Sequence, residues 1–228
     1  MMEINNAAGD QVFVSWSGGK DAYLSLLRAR DKGLRIACLL SFISSEGRSR
    51  SHGLKTEILE QQAEFLGIPL VTEEVAWETY ENGFEQAVKR IKKEYCISGG
   101  VFGDINLAEH RDWIRKMCGR CDISYNLPLW QEEELKVAEE LLARGGRALI
   151  VAIRSDLVDQ GWLGKVIDKE YLDYCVTTGI SPCGEGGEAH SLVVDGPLFN
   201  KPLQYRLGKI RQNENRALLE VFPESSGE

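Results

Sequence analysis

Two short stretches of this 228-residue chain hold residue types that do chemistry. The first is Ser17-Gly18-Gly19-Lys20-Asp21. Val12, Phe13 and Val14 precede it, an apolar run ending in small polar residues, as a buried strand of a parallel sheet ends. Ala22, Tyr23, Leu26 and Leu27 then repeat at helical spacing. A strand, a Gly-rich turn and a helix N-terminus make an anion site. Backbone N–H groups point outward, the helix dipole adds positive potential, and glycines let an oxyanion approach the backbone. An ordinary Gly-rich turn is the alternative, but Lys20 and the serines Ser15 and Ser17 supply more than a turn needs.

The second stretch is Cys183-Gly184-Glu185-Gly186-Gly187-Glu188-Ala189-His190, followed by Asp195-Gly196-Pro197-Leu198-Phe199. Two carboxylates separated by two glycines, with a His two residues on, are a poor recipe for a core. They suit a flexible loop that presents charge to a ligand or Mg2+. An exposed turn is the plain alternative. Cys118-Gly-Arg-Cys121 is a lone CxxC with no second pair at zinc spacing, which disfavours a zinc site. Cys183, beside the acidic loop, is the better reactive-thiol candidate. Trp16 either shields the Gly-rich turn or packs under it. His52, just ahead of a helix, suits capping, a lid or catalysis.

The positioning elements follow from periodicity. Strands are expected at Val12–Ser15, Arg35–Phe42, Leu70–Val75, up to Val101-Phe102, and at Ile123–Leu127 and Ala148–Ile153. Helices are expected near Lys20–Arg30, from Leu54 to Leu66, and at Tyr80–Lys93, Ala108–Cys118 and Glu132–Ala143. Lys89 to Lys93 reads as a solvated basic helix face, and Ser44 to Ser51 as a mobile polar loop able to close over a ligand. Alternating strand and helix over residues 1–154 predicts an α/β, doubly wound parallel sheet with right-handed crossovers. Ligands bind beyond the carboxyl ends of such strands, so Ser15–Ser17, Phe42–Ser45 and Gly103-Asp104 should converge. After Arg154 the rhythm stops. Residues 155–222 read as a smaller α+β lobe with one helix near Lys169–Thr177 and strands at His190–Asp195, Gln204–Lys209 and Leu218–Phe222. Residues 223–228 read as a disordered tail.

Composition bounds the partners. The chain carries 27 basic and 35 acidic residues, a net charge of −8, which counts against a nucleic-acid substrate. No apolar run reaches the length of a membrane span, and the polar N-terminus lacks a signal-peptide core. The six scattered cysteines fit reduced thiols. A cytoplasmic protein is expected. Oligomeric state is open, a homodimer included.

The spacing of the first stretch is neither that of the Gly-x-x-x-x-Gly-Lys-Ser/Thr loop nor that of the dinucleotide Gly-x-Gly-x-x-Gly. It resembles the Ser-Gly-Gly-x-Asp-Ser loop of the PP-loop ATP pyrophosphatases, which have an HUP-like fold, with Ala22 where that family commonly has Ser. With the acidic stretch added, the chain resembles the diphthine–ammonia ligase family in its compact prokaryotic form. Matches run in order along residues 10 to 205: Ser51-His52-Gly53, Gly67-Ile68-Pro69, Gly103-Asp104-Ile105, Arg111, Cys118, Pro128-Leu129-Trp130 and Leu163-Gly164-Lys165. Ser181 departs, since many prokaryotic relatives place Asp before Pro-Cys.

The resemblance implies that ATP adenylates the carboxylate of diphthine, a modified histidine on translation elongation factor two. Pyrophosphate leaves and ammonia attacks the acyl-adenylate. It implies a pyrophosphate grip by Ser17, Gly18, Gly19, Lys20 and Asp21, further nucleotide contacts from Ser15, Gly103 and Asp104, and Mg2+ on Asp21 and Asp104. It also implies catalytic roles for Lys20, Asp21, Glu185, Glu188 and His190, the last three in holding or deprotonating ammonium or holding the acyl acceptor. Other readings on the same fold are a non-catalytic adenine-nucleotide sensor, an AMP-forming ligase on another acid, and a tRNA thiolation enzyme.

Overall fold

The computed structural model describes residues 7–224. In chain order the elements begin β1 (Gln11–Ser15), α1 (Lys20–Asp31), β2 (Arg35–Ile43), α2 (Thr56–Leu66) and β3 (Leu70–Glu74). They continue α3 (Tyr80–Tyr95), β4 (Gly99–Val101), α4 (Ala108–Arg120), β5 (Ser124–Asn126), α5 (Glu134–Ala143) and β6 (Arg147–Arg154). The chain finishes with α6 (Lys169–Thr178), β7 (Ala189–Asp195), β8 (Tyr205–Asn213) and β9 (Arg216–Pro223). Single 3-10 turns stand at Trp77–Thr79 and Gln160–Trp162.

Contacts group these elements into two compact units. The first holds the chain up to Ser17, Asp21–Ser51 and Ile68–Gln131. The second holds Gly18–Lys20, His52–Gly67 and the chain from Glu132 onward.

The first unit is built on a five-stranded sheet of order β3-β2-β1-β4-β5, every pair parallel. This is the α/β sheet that the strand–helix rhythm predicts. Its core joins Phe13, Leu40, Phe42, Phe84, Val88, Ile91, Phe102, Ile114 and Met117, all buried. Phe84 touches Phe13 edge-on and Phe42 face-on. Burying one such ring contributes on the order of 1.5–3 kcal/mol. The basic face of α3 is solvated as expected, and three of its four charges are paired: Lys89 with Glu85, Arg90 with Glu73, Lys92 with Asp122. Exposed pairs of this kind contribute little each. Ser44–Ser51 is a hydrogen-bonded turn rather than an open loop. Ser44 N–H donates to the Arg48 carbonyl, Arg50 N–H to Phe42, and the Arg50 guanidinium to the Val75 carbonyl at 2.8 Å.

The second unit carries a four-stranded sheet of order β7-β6-β9-β8, antiparallel throughout. One expectation is corrected here. Ala148–Ile153 was read with the parallel strands, but β6 pairs with β7 and β9. Residues 132–154 therefore group with the antiparallel sheet, across the 154/155 division expected from the rhythm. An apolar strand looks alike in either sheet, and only its distant partners decide. Pro223 ends β9 and Glu224 N–H donates to the Gln204 carbonyl, so the expected tail is ordered that far. Residues 225–228 of that tail lie outside the described residues.

Candidate functional site

In the second unit, the glycines of the first motif serve close packing. Gly18 sits at φ +80, and a Cβ there would meet Leu59 at 2.7 Å, Gln62 Oε1 at 2.9 Å and Leu54 at 3.0 Å. Only glycine fits such a position. The Gly18 carbonyl accepts from Val193 N–H at 2.9 Å and from Gln62 Nε2 at 3.0 Å. Gln62 Nε2 also donates to the Val193 carbonyl at 2.7 Å, and this side chain is 0% exposed. Sequence reasoning missed Gln62. The signal was there: it lies on the face of α2 that carries Ile58, Leu59, Ala63 and Leu66, where an amide must find buried partners.

Lys20, at the start of α1, is only 5% exposed. Its amide donates to Ser191 Oγ at 3.2 Å and its ammonium to the Cys183 carbonyl at 2.7 Å. The expected phosphate lysine thus also holds the acidic stretch. Gly18–Lys20 and residues 183–193 form one hydrogen-bonded structure.

The acidic stretch is a capped turn. Gly187 N–H donates to the Gly184 carbonyl at 2.8 Å. Gly184 is at φ +71, where a Cβ would fall 2.2 Å from the Ala189 carbonyl oxygen. Ser181 Oγ accepts from Gly184 N–H at 2.7 Å and Glu185 N–H at 3.2 Å, and its hydroxyl bonds the Glu134 carboxylate. Ser181 therefore performs the capping open to an Asp, with Glu134 supplying the negative charge. Cys183 is buried, with its thiol on the Glu134 carbonyl at 3.3 Å.

Glu188 ends this turn, with its carbonyl accepting from Arg154 N–H at 2.8 Å. Its carboxylate lies back over Gly186, where a Cβ would come 2.6 Å from Oε1. Glu188 Oε2 is buried with no hydrogen-bond partner among the described residues. A buried acceptor without a donor is costly, and that cost points to a ligand N–H.

His190 lies on β7, its ring centroid 4.6 Å from that of His52. Burial pushes the His190 imidazole down to about 4, and the Arg216 and Lys20 charges push the same way. His52 is held well below the usual range by burial, by His190 and by Lys20. Both rings are neutral at pH 7. His52 is not a helix cap, because Lys55 occupies that position.

The first unit holds the remaining expected residues. Ser15 ends β1 opposite Leu40. Trp16 is buried, donates its N–H to Leu40 and accepts from the Ser41 hydroxyl, so it packs beneath the loop. Ser17 closes the run, and Asp21 sits in the first turn of α1, where the dipole favours a carboxylate. Gly103 abuts that turn: a Cβ would fall 2.9 Å from Ala22 N and 3.0 Å from the Asp21 carbonyl carbon. Asp104 is paired with His110 Nδ1 at 3.0 Å, a partner the sequence reading did not name. The Tyr80 hydroxyl is pushed up to about 12 by burial and by the Asp104 charge, with Arg50 opposing. Cys118 and Cys121 are buried, and burial raises both thiols, Cys118 to about 12. That is the wrong direction for a reactive thiolate.

No group of three or more His, Cys, Asp and Glu gathers to hold a metal among the described residues. Asp21 and Asp104 are hard oxygen donors that suit Mg2+, which takes one or two carboxylates plus substrate phosphates and waters. They fit such an ion with phosphates completing its shell.

Residues 10–124 match the diphthamide synthase N-terminal domain and residues 133–222 the diphthamide synthase C-terminal domain. The diphthine–ammonia ligase of Mus musculus is 24% identical over 212 residues, covering 82% of this chain and 79% of that protein. The Homo sapiens enzyme of the same name is 24% identical over the same shares. The Schizosaccharomyces pombe protein is 23% identical over 81% of this chain and 34% of its own length. Among solved structures, the U34-tRNA thiolase NcsA from Methanococcus maripaludis with its 4Fe-4S cluster aligns at TM-score 0.38. The identity is 16%, over 60% of this chain and 57% of that one. No helix among the described residues is long and apolar enough to cross a membrane.

Proposed function

Since this chain belongs to the diphthamide synthase family and is an ATP-dependent ligase forming a carbon–nitrogen bond, we propose that it adenylates a carboxylate and joins the acyl group to ammonia, with AMP and pyrophosphate as products. The observation that carries this reading is the Lys20–Cys183 hydrogen bond. It fixes the Gly-rich turn and the acidic turn as one structure, whereas nucleotide binding alone would need only the first.

A carboxylate is a poor electrophile, and AMP converts it into an acyl group with a good leaving group. The carboxylate oxygen attacks the α-phosphorus and pyrophosphate departs. The Gly18–Gly19 turn and the remaining protons of the Lys20 ammonium supply donors for the polyphosphate at the start of α1. Ser15, Ser17 and Gly103 line the strand ends in the first unit. Asp21 and Asp104 would hold Mg2+, which neutralises polyphosphate charge when bound. Glu188 Oε2 accepts an N–H of ammonium and satisfies its own orphaned oxygen. Glu185, anchored through its amide to Ser181, adds negative potential that concentrates the cation. The acyl acceptor we propose is diphthine, the acid in the relatives' name, diphthine–ammonia ligase, carried on elongation factor two.

The test is release of AMP and pyrophosphate from ATP, with diphthine-bearing elongation factor two and ammonium present. AMP in step with amide is the expected result. ADP and phosphate instead, or no turnover, would overturn it.

A further inference from the structure

Amide formation from ammonium releases two protons from nitrogen. One must leave before the lone pair can attack, and a second leaves as the adduct becomes an amide. A carboxylate that holds the cation is a poor sink for both. The second unit contains two neutral imidazoles in ring contact, and one of them, His52, has no part in the chemistry described so far.

We propose that His190 is the base for the attack of ammonia and that His52 is its positioning partner, the pair gaining basicity when an anion occupies the phosphate loop. This rests on the ligase reading above. His190 lies two residues after Glu188, the residue that ends the acidic turn, at the start of β7. The Glu188 carbonyl accepts from Arg154 N–H, which anchors the end of the turn beside the start of that strand. Opposite His190 the register of β6 shifts between Ile150 and Ala152, an irregularity of the kind that re-aims a side chain. The next residue, Ser191, accepts from the Lys20 amide. The pair is thereby tied to the turn expected to hold phosphate.

The charges facing the rings set their behaviour. Lys20 acts on both, and Arg216 on His190. Glu188 faces Tyr171 and Cys175 on α6, and Cys175 also senses Lys20. Without a nucleotide the cations and burial keep both imidazoles unprotonated. An anion beside Lys20 offsets its charge, and each ring then takes a proton more readily. The step balances. An ammonium proton passes to a His190 ring nitrogen, and the nitrogen lone pair forms the bond to the acyl carbon. The carbon–oxygen bond to AMP breaks, and AMP leaves with that electron pair. The first proton moves on to His52 or solvent, and the second follows to His190.

Two measurements test this. The chain has three histidines, so proton NMR of their ring C–H signals, with His110→Asn to assign the exposed one, follows each imidazole. Adding inorganic pyrophosphate should raise the pKa of His52 and His190, and His52→Gln should diminish the rise at His190. Unmoved rings would overturn the anion link. In the second, hydroxylamine, neutral at pH 7, replaces ammonium as the nucleophile. The ratio of amide to hydroxamate should fall by about 10²–10⁴ in His190→Gln, and by less but in the same direction in His52→Gln and His52→Asn. A ratio unchanged in all three variants, while wild type still releases AMP, sinks the base assignment and leaves the ligase reading standing. No AMP from wild type sinks the ligase reading itself, and the NMR titration still decides the pairing.

Discussion

The ammonium of Lys20 is hydrogen-bonded to the carbonyl of Cys183, 163 residues further along the chain, at 2.7 Å. One side chain therefore fixes the position of both motifs. Lys20→Met should remove a buried hydrogen bond from a charged donor, at a cost on the order of 1.5–3 kcal/mol. Urea unfolding measures the loss. AMP formation should fall with it, and a variant of full activity would mean that the two motifs work independently.

Gly18→Ala places a methyl group within 2.7 Å of Leu59 at a backbone φ of +80. Strain in a left-handed position costs roughly 1–3 kcal/mol, and the clash adds to it. Nucleotide affinity by calorimetry should drop along with the melting temperature. Retained tight ATP binding would show that the turn is not the phosphate grip.

Gln62→Leu keeps the volume but removes both amide hydrogen bonds. The Gly18 carbonyl keeps Val193 N–H, while the Val193 carbonyl is left buried. A loss of about 1–3 kcal/mol is expected. A neutral outcome in chemical denaturation would contradict the role given to this amide.

Glu188→Gln replaces an acceptor by a group that also donates. Its nitrogen repels an N–H ligand where Oε2 accepted one. The KM for ammonium should rise more than the KM for ATP in steady-state kinetics. Equal effects on both would remove Glu188 from the ammonium site.

Stability should depend on pH through His190. Its folded value of about 4 lies below the unfolded 6.5, so the unfolded chain binds the proton more readily. The stabilisation is fully present above pH 6.5 and is lost as pH falls from there through 4. The difference corresponds to roughly 3 kcal/mol, and His52 shifts in the same direction. Urea midpoints taken between pH 7 and pH 4 should decline, and the decline should be shallower in His190→Gln.

Much of this was legible in the sequence because it is local. The strand–turn–helix joint is marked by Ser17–Asp21 between an apolar run and a helical repeat, and the parallel sheet by its rhythm. The acidic turn showed through residue types that no core tolerates. What stayed hidden depends on residues far apart. β6 has the same apolar pattern as a parallel strand, and only pairing with β7 and β9 reassigns it. Gln62 offered one clue, a polar residue on an apolar face, but not its partners. His52 and His190 are separated by most of the chain, and neither position announces the other.

The tie between Gly18–Lys20 and residues 183–193 also sets when the protein becomes competent during its synthesis. The hydrogen-bond partners of the Gly-rich turn, Cys183, Ser191 and Val193, leave the ribosome some 160 to 175 residues after it. Contacts of such long range form late. A nascent chain halted before β7 carries the complete Gly-rich motif without the strand that holds it, and on the proposed reading gains its grip on ATP only when that strand closes.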